Sequence, residues 1–433
     1  MKLTSRLGLA AVIVSVAGAA LWGAGAGSEG ALAEVVPAEE ASYDWTQWGG
    51  PNRDFILPQA GPLATEWPES GPKELWSKPF GDGFSAILYE DGRLYTMRRQ
   101  GDSDVVVSLD AETGETLWET SYDSPTTDDM VLDFGPGPIS TPLIAGDRLY
   151  TVSSTVKFHC LDKKDGKILW SHDLRQELQA SHLGRGYGPS PIAYDDLVIL
   201  GVGGQQSGVV AFDQASGEIR WKTDGYPPSY SSPILVNFGG RDMLIISMGP
   251  ARAGLDPSTG EVIWRLDTPK VTGSMMSTQH FGEDHILFGS MAYGGGSRAI
   301  KLKKEGGDFI AEELWYTRRM RVMYASFVRI GDYIYGSSGD FGPAFLQCLN
   351  IHDGKIMWRK RGFSRSHLVQ VGDQVLILDE DGDLAIATAT PDDLTVHAQA
   401  NILERTAWTP PTVIGSTVYV RNRKEIKALD LSR

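Results

Sequence analysis

Cysteine is nearly absent: the 433-residue chain has two, Cys160 and Cys348. Two cysteines exclude a disulfide scaffold, a Cys-x-x-Cys-His haem attachment and a cysteine-rich zinc site, so stability must come from packing. Long runs of Lys or Arg are also missing and the formal charge is −15, which argues against a nucleic-acid partner, because an acidic surface repels a polyphosphate. No nucleophile elbow, phosphate loop or zinc-protease helix motif occurs. His172, His182 and Tyr187 stand in a segment without metal-ligand spacing. Asp379-Glu380-Asp381-Gly382-Asp383 has the carboxylates of a calcium loop, but Gly falls at the fourth place and Thr390 at the twelfth, so it reads as a hairpin turn. What remains is 41% apolar and 9% aromatic, with 50 glycines, about 11.5% against the roughly 7% of ordinary chains. Such a composition supports a substantial core with many turns and predicts an all-β fold.

Lys2 and Arg6 precede an apolar stretch from Leu7 to Ala26, and Ala31-Leu32-Ala33 forms a small-x-small cleavage site. This pattern predicts a signal peptide over residues 1–33, export to the periplasm or beyond, and no stable membrane insertion once it is removed. An uncleaved anchor is the alternative, since 20 residues just span a bilayer. Removing Lys2, Arg6 and Glu29 takes away a net +1 and leaves −16. Residues 34–72 read as a polar, extended segment before the repeats begin.

Four segments are near copies of one unit: LDAETGETLW ending at Trp118, LDKKDGKILW at Trp170, LDPSTGEVIW at Trp264 and LNIHDGKIMW at Trp358. FDQASGEIRW, ending at Trp221, is a fifth, and a looser copy ends at Trp315. The leading Asp or Asn can accept backbone N–H groups ahead of it, and the Gly supplies the positive φ that closes the turn. Each unit is therefore a hairpin whose second strand presents a Trp. With Trp76, the ladder advances in steps of 42, 52, 51, 43, 51 and 43 residues, the period of a four-stranded propeller blade. A second turn signal recurs eight times, at Asp91-Gly92, Gly146-Asp147, Asp195-Asp196, Gly239-Gly240, Glu283-Asp284, Gly331-Asp332, Gly372-Asp373 and Gly415-Ser416.

The last repeat, Thr412 to Leu431, stops where the others continue to their Trp strand, and Glu74-Leu75-Trp76 is a Trp strand with no hairpin before it. The expectation is an eight-bladed β-propeller of four-stranded antiparallel blades over residues 73–433, closed by pairing of the N- and C-terminal strands. Each Trp then packs between neighbouring blades. Cys160 and Cys348 occupy the place held by Ser108, Ala211 and Gly254 in other repeats, where a small buried residue is wanted. Equivalent places in distant blades are too far apart for a disulfide, so both thiols are expected to be free. The penultimate repeat lacks the motif and has His397 near the Trp place.

The Leu-Asp-x-x-Thr-Gly-Glu-x-x-Trp unit resembles the PQQ-type propeller repeat, which quinoprotein alcohol dehydrogenases share with the periplasmic propeller of the outer-membrane assembly machinery. Trp45-Thr46-Gln47-Trp48-Gly49-Gly50-Pro51-Asn52-Arg53-Asp54 resembles the leading segment of secreted bacterial proteins with this repeat. The resemblance covers nearly the whole mature chain. It is specific for fold and carries three functions: a quinoprotein oxidoreductase, a cell-envelope assembly scaffold, or a binding propeller. The dehydrogenases sandwich their quinone between a Trp and an adjacent Cys-Cys disulfide beside Ca²⁺ and a catalytic Asp. No adjacent cysteine pair occurs in this chain, and no numbered position inherits their metal ligands or catalytic Asp. No cofactor is therefore expected, with PQQ and Ca²⁺ as the alternative. The assembly propellers are lipoproteins, and no cysteine follows the leader here.

Aligning the innermost strands on a hydroxyl that often precedes Pro gives Ser85, Thr141, Ser190, Ser232, Thr278, Ser326, His367 and Pro410, a ring read as steric fit with bound water. Two residues upstream stand Tyr230, Met276, Tyr324, Arg365 and Trp408, expected around the channel mouth. Incoming loops add Arg318, Arg319, Arg321, Arg359, Lys360 and Arg361, while Asp123, Asp128, Asp129 and Asp133 lie across from them as their pairing partners. Arg offers paired hydrogen bonds and aromatics offer stacking surface. The candidate ligand-binding residues are Tyr230, Met276, Arg319, Tyr324, Arg361, Arg365, His367 and Trp408. The partner is a protein or a small anionic or aromatic ligand, and no catalytic residue is assigned.

Overall fold

The computed structural model describes residues 44–58, 60–248, 251–268, 277–340 and 342–433. The expected leader over residues 1–33, residues 34–43 of the segment expected after it, and Met276 lie outside these described residues. Eight antiparallel four-stranded blades form a ring, as the two turn signals require. The first blade is Leu88–Glu90, Arg93–Gln100, Ser103–Asp110 and Thr116–Asp123. The next six occupy 143–173, 192–222, 234–267, 280–317, 327–360 and 366–401. In the eighth, Thr412–Ile414, Thr417–Arg421 and Glu425–Asp430 are completed by Lys73–Pro79, with Trp76 opposite Ala428. Closure by the two chain ends is thus as expected. The one described α-helix, Leu174–Leu178, is a single turn after the second blade, capped by Asp173.

The repeat turn works as its residues dictate. Asp110 Oδ1 accepts from the N–H of Glu112 and Thr113, and Gly114 at φ +72 lets its N–H return to the Asp110 carbonyl at 2.9 Å. The same glycine has a second task. The Trp of the preceding blade lies on it: an added Cβ at Gly114 would stand 2.7 Å from two atoms of the Trp76 ring, and Gly217 meets Trp170 in the same way. Except for Trp264, each ladder indole also donates Nε1–H to the next turn, Trp76 to Ala111 O at 3.0 Å, Trp170 to Gln214 O at 3.2 Å and Trp315 to Ile351 O at 2.7 Å. The ladder is therefore a chain of blade-to-blade docks that combine stacking with one hydrogen bond.

Register explains the cysteines. Across each blade an aromatic or aliphatic residue, a small residue and the Trp stand in line: Tyr150, Cys160, Trp170; Tyr335, Cys348, Trp358; Tyr95, Ser108, Trp118. The indole reaches over the small residue to the tyrosine, with ring centroids 5.9–6.1 Å apart in these three rows. Both cysteines are buried and free. In the seventh blade the row reads Leu376, Ile386, Ala398; the bulky residue has moved inward, and Ala398, not the adjacent bulge residue His397, takes the Trp place. The fifth blade lacks the Asp-to-Gly turn, so Trp264 finds no dock, and its buried Nε1 has no partner among the described residues.

The seam between the eighth and first blades is clasped by Arg421. Its buried guanidinium donates to the carbonyls of Met97, Gly83, Gly81 and Ser85 and lies 4.7 Å over the Phe80 ring. Burial lowers its pKa to about 9.

The segment from Trp45 to Leu63 plugs one end of the channel. Trp45 bridges to Tyr89, Ile56–Leu57 pair in parallel with Gln370 and Val371 of the seventh blade, and Gln374 holds Leu63 through both its amide atoms. Arg53, 3% exposed, donates to the carbonyls of Pro233, Pro191 and Ser190. The leading motif quoted above is thus a stopper for the ring.

Candidate functional site

Where the plug ends, the channel becomes a cup that opens on the loop face. Trp48 forms its floor by donating Nε1–H to Thr278 Oγ1 at 2.7 Å. The walls are Phe84, Phe134, Tyr230, Tyr324 and Trp408, and the cavity volume is about 110 Å³. Tyr324 stacks on Trp408 at 4.4 Å, and Phe134 meets the same indole edge-on at 4.7 Å. Tyr324 and Tyr293 share a hydroxyl hydrogen bond of 2.8 Å, while Tyr230 accepts from the Arg185 N–H at 3.0 Å. Burial pushes the Tyr230 phenol up to about 12, so it stays neutral.

The ring of hydroxyls turns out to be a set of staples. Ala86 N–H donates to Thr141 Oγ1 at 3.0 Å, Thr141 N–H to Ser190 Oγ at 3.0 Å, and Ser190 N–H to Ser232 Oγ at 2.9 Å. Each bond ties an innermost strand to the next blade, which explains the hydroxyl better than steric fit with water. His367 continues the pattern. Its Nδ1 accepts from Ser326 N–H at 3.1 Å, which leaves Nε2–H to donate to Trp408 O at 2.9 Å. With both nitrogens bonded and burial lowering its pKa to about 4, His367 positions Trp408 and has no nitrogen left for a metal or a proton transfer.

Of the eight candidate residues, the structure brings Tyr230, Tyr324, His367 and Trp408 together at the cup. Arg365 stands behind Trp408. It chelates Glu380 at 2.7 and 2.8 Å, and Glu380 in turn accepts Trp408 Nε1–H at 2.8 Å. Arg319 and Arg361 are exposed and do not line the cup; Arg361 rests over Phe345 at 5.6 Å. The expected basic mouth is therefore not assembled there. The facing aspartates do not pair with those arginines either: Asp133 lies 3.7 Å from Arg185 and Asp129 3.5 Å from His182. Asp379 closes its turn by accepting from the Asp381 and Asp383 N–H groups.

Strand alternation did not reveal Trp48, Phe84, Phe134 and Arg185, which come from the plug and the loops. A signal for Phe134 exists in the places that lack bulk. Two residues before the stapling hydroxyl, where the fourth, sixth and eighth blades carry Tyr230, Tyr324 and Trp408, the first and third have Gly83 and Gly188. The loop 124–142 fills that room, and a Cβ on Gly137 would stand 2.5 Å from the Gly83 Cα. Arg185 lies 4.3 Å over the Phe134 ring, and its buried Nη1 has no partner among the described residues. Among the described residues it is the only charged side chain lining the cup.

A family model described as outer membrane protein assembly factor BamB matches residues 14–136 and 102–360. Quinoprotein alcohol dehydrogenase PedH of Pseudomonas putida is 27% identical over 143 residues, 31% of this chain and 22% of that protein. The match therefore spans about a fifth of the dehydrogenase. Outer membrane protein assembly factor BamB of Moranella endobia is 23% identical over 358 residues, 78% of this chain and 75% of its own. BamB from Moraxella catarrhalis superposes with a TM-score of 0.60 at 17% identity, over 83% of this chain and 100% of that one. Quinohemoprotein alcohol dehydrogenase from Comamonas testosteroni gives 0.67 at 12% identity, over 92% and 82%. At these identities the superpositions speak for the fold alone.

Proposed function

Because the chain belongs to the PQQ-repeat propeller family described as outer membrane protein assembly factor BamB, we propose that it is an exported, non-catalytic binding propeller of the cell envelope, whose aromatic cup receives a side chain of a partner protein. The observation that carries this reading is the cup itself: half-buried Trp, Tyr and Phe rings and one Arg with an unspent N–H, grouped at the centre of the loop face. Trp, Tyr and Arg in a partly desolvated pocket are the residues that dominate protein–protein affinity. An apolar or aromatic side chain fits between the rings, and an acidic group beside it would meet Arg185.

The catalytic alternative finds little support in the residues present. A quinone held over Ca²⁺ needs oxygen ligands and an acid or base. No carboxylate lines the cup, its histidine is bonded on both sides, and no group of three His, Cys, Asp or Glu gathers to hold a metal among the described residues. These residues do not fit that cofactor. The leader pattern supports an extracytoplasmic location; among the described residues no helix is long and apolar enough to cross a membrane.

A photo-crosslinking residue in place of exposed Val131 at the cup rim tests the proposal in the intact cell envelope. A discrete crosslinked protein is expected, lost in Arg185→Glu and in Trp408→Ala. Crosslinking that ignores both substitutions would refute it, as would dye-linked alcohol oxidation after addition of PQQ and Ca²⁺.

A further inference from the structure

At the other end of the channel the plug leaves a gap. Between the plug and the innermost strands of the fourth, fifth and sixth blades lies a groove of about 610 Å³. Gln279 lines it, is 1% exposed, and has no partner on either Nε2 or Oε1 among the described residues. A buried amide with an unspent donor and acceptor is costly, and it is built to meet a ligand that supplies both.

Charge around the groove is unbalanced. Arg53 spends its guanidinium on carbonyls, and Arg329 pairs with Asp284 at 2.8 Å and donates to Gly331 O and Ile286 O. His280 is held neutral by burial and by nearby Arg329, with its pKa lowered to about 3. Asp332 pairs with His352. Asp54 and Glu283 line the groove with no cation paired to them among the described residues. Asp54 accepts the Ile56 N–H at 3.0 Å, and burial raises its carboxyl to about 6.

The backbone around the groove offers a precedent. Ile56–Leu57 add in parallel to the free edge of the seventh blade's innermost strand. The innermost strands of the fourth, fifth and sixth blades, Ile234–Phe238, His280–Phe281 and Phe327–Ile330, keep the same edge unpaired among the described residues. Free strand edges receive extended segments. Residues 7–52 of this chain contain no Lys or Arg, so the segment leading into the plug has none to offer Asp54.

The geometry points to a second docking site, in which the groove takes an extended, basic segment of a partner protein. Its backbone adds to the free edge of His280–Phe281 and bonds the Gln279 amide, and one Lys or Arg side chain reaches Asp54 and Glu283. The site lies on the face opposite the cup and does not depend on what the cup holds.

Calorimetric titration of the full chain with an acetylated, amidated Thr-Arg-Val-Arg-Thr peptide, its Thr-Glu-Val-Glu-Thr counterpart and L-argininamide tests the site. The basic peptide should bind, with affinity falling about tenfold in Asp54→Asn and Gln279→Leu and about threefold in Glu283→Gln. Binding should also weaken between about pH 7.5 and about pH 5, as Asp54 takes up its proton, and should survive Trp408→Ala. Equal binding of the acidic peptide overturns the proposal, as does indifference to Asp54→Asn and Glu283→Gln in proteins with unchanged melting. Glu283 is exposed at the rim, so its variant remains decisive if Gln279→Leu fails to fold. Binding of L-argininamide as tight as that of the peptide refutes strand addition. Failure of the basic peptide to bind folded wild-type protein refutes the site while leaving the cup reading intact.

Discussion

Two glycines of the first blade separate the cost of backbone conformation from the cost of blade docking. Gly92 and Gly114 have nearly the same φ, +74 and +72, but an added Cβ at Gly92 meets nothing within 4 Å, whereas at Gly114 it stands 2.7 Å from two atoms of the Trp76 ring. Gly92→Ala should therefore cost only the left-handed strain of an L residue, about 1 kcal/mol. Gly114→Ala adds the displacement of an indole from a packed interface, about 1–3 kcal/mol, and weakens the 3.0 Å bond from Trp76 Nε1 to Ala111 O, about 1 kcal/mol. The expected loss is about 3–5 kcal/mol. Denaturant unfolding followed by tryptophan fluorescence and by far-ultraviolet dichroism measures both variants, and the Gly114→Ala, Trp76→Ala double variant completes a cycle. Because the clash needs both partners, the double variant should lose less than the two singles together. Equal effects of the two glycine substitutions, or strict additivity in the cycle, would refute the docking account.

Other consequences are as direct. Arg421→Lys keeps the charge at the eighth-to-first seam but cannot reach four carbonyls, so stability should fall by about 3 kcal/mol or more, read from the denaturation midpoint. His159, His280 and His367 are held neutral by burial, with pKa values lowered to about 4, 3 and 4. The unfolded chain therefore takes up protons first, and stability is lost as pH falls from about 6.5 toward 4, by at most about 1.4 kcal/mol per pH unit for each. Asp54, raised to about 6, acts in the opposite sense over the same acid range. His367→Gln should make the acid slope shallower in a melting series; an unchanged slope would count against a buried neutral imidazole. Burial pushes the Cys348 thiol up to about 12 and also raises Cys160. A thiol reagent near pH 7 should accordingly find no fast-reacting group in the native protein and two after unfolding.

The way the ring works as a binding platform follows from its division of labour. Repeated turns, tryptophans and stapling hydroxyls hold the blades in fixed order. The variable parts, the plug and the loops between blades, supply the cup: Phe134 from the loop 124–142, Arg185 from the loop after the single helical turn, Trp48 from the plug. Binding residues on loops held by a rigid frame are the usual arrangement.

The blade count, the closing strand and the small place taken by Cys160 and Cys348 could all be read from the residues, because turn chemistry and strand alternation are local and the repeat shows them many times. Tyr230, Tyr324, His367 and Trp408 were found by the same means, since a fixed offset from the stapling hydroxyl gives a fixed facing toward the axis. Arg319 and Arg361 were misplaced because they lie in loops, where no period tells which way a side chain turns. The stopper made by Trp45 to Leu63, the grip of Arg53 on three distant carbonyls and of Arg421 on four, and the groove beside Gln279 depend on contacts between residues tens to hundreds of positions apart. Local rules set how each blade is built; only the closed ring, by bringing eight inner edges around one axis, decided which space was filled and which was left to receive something else.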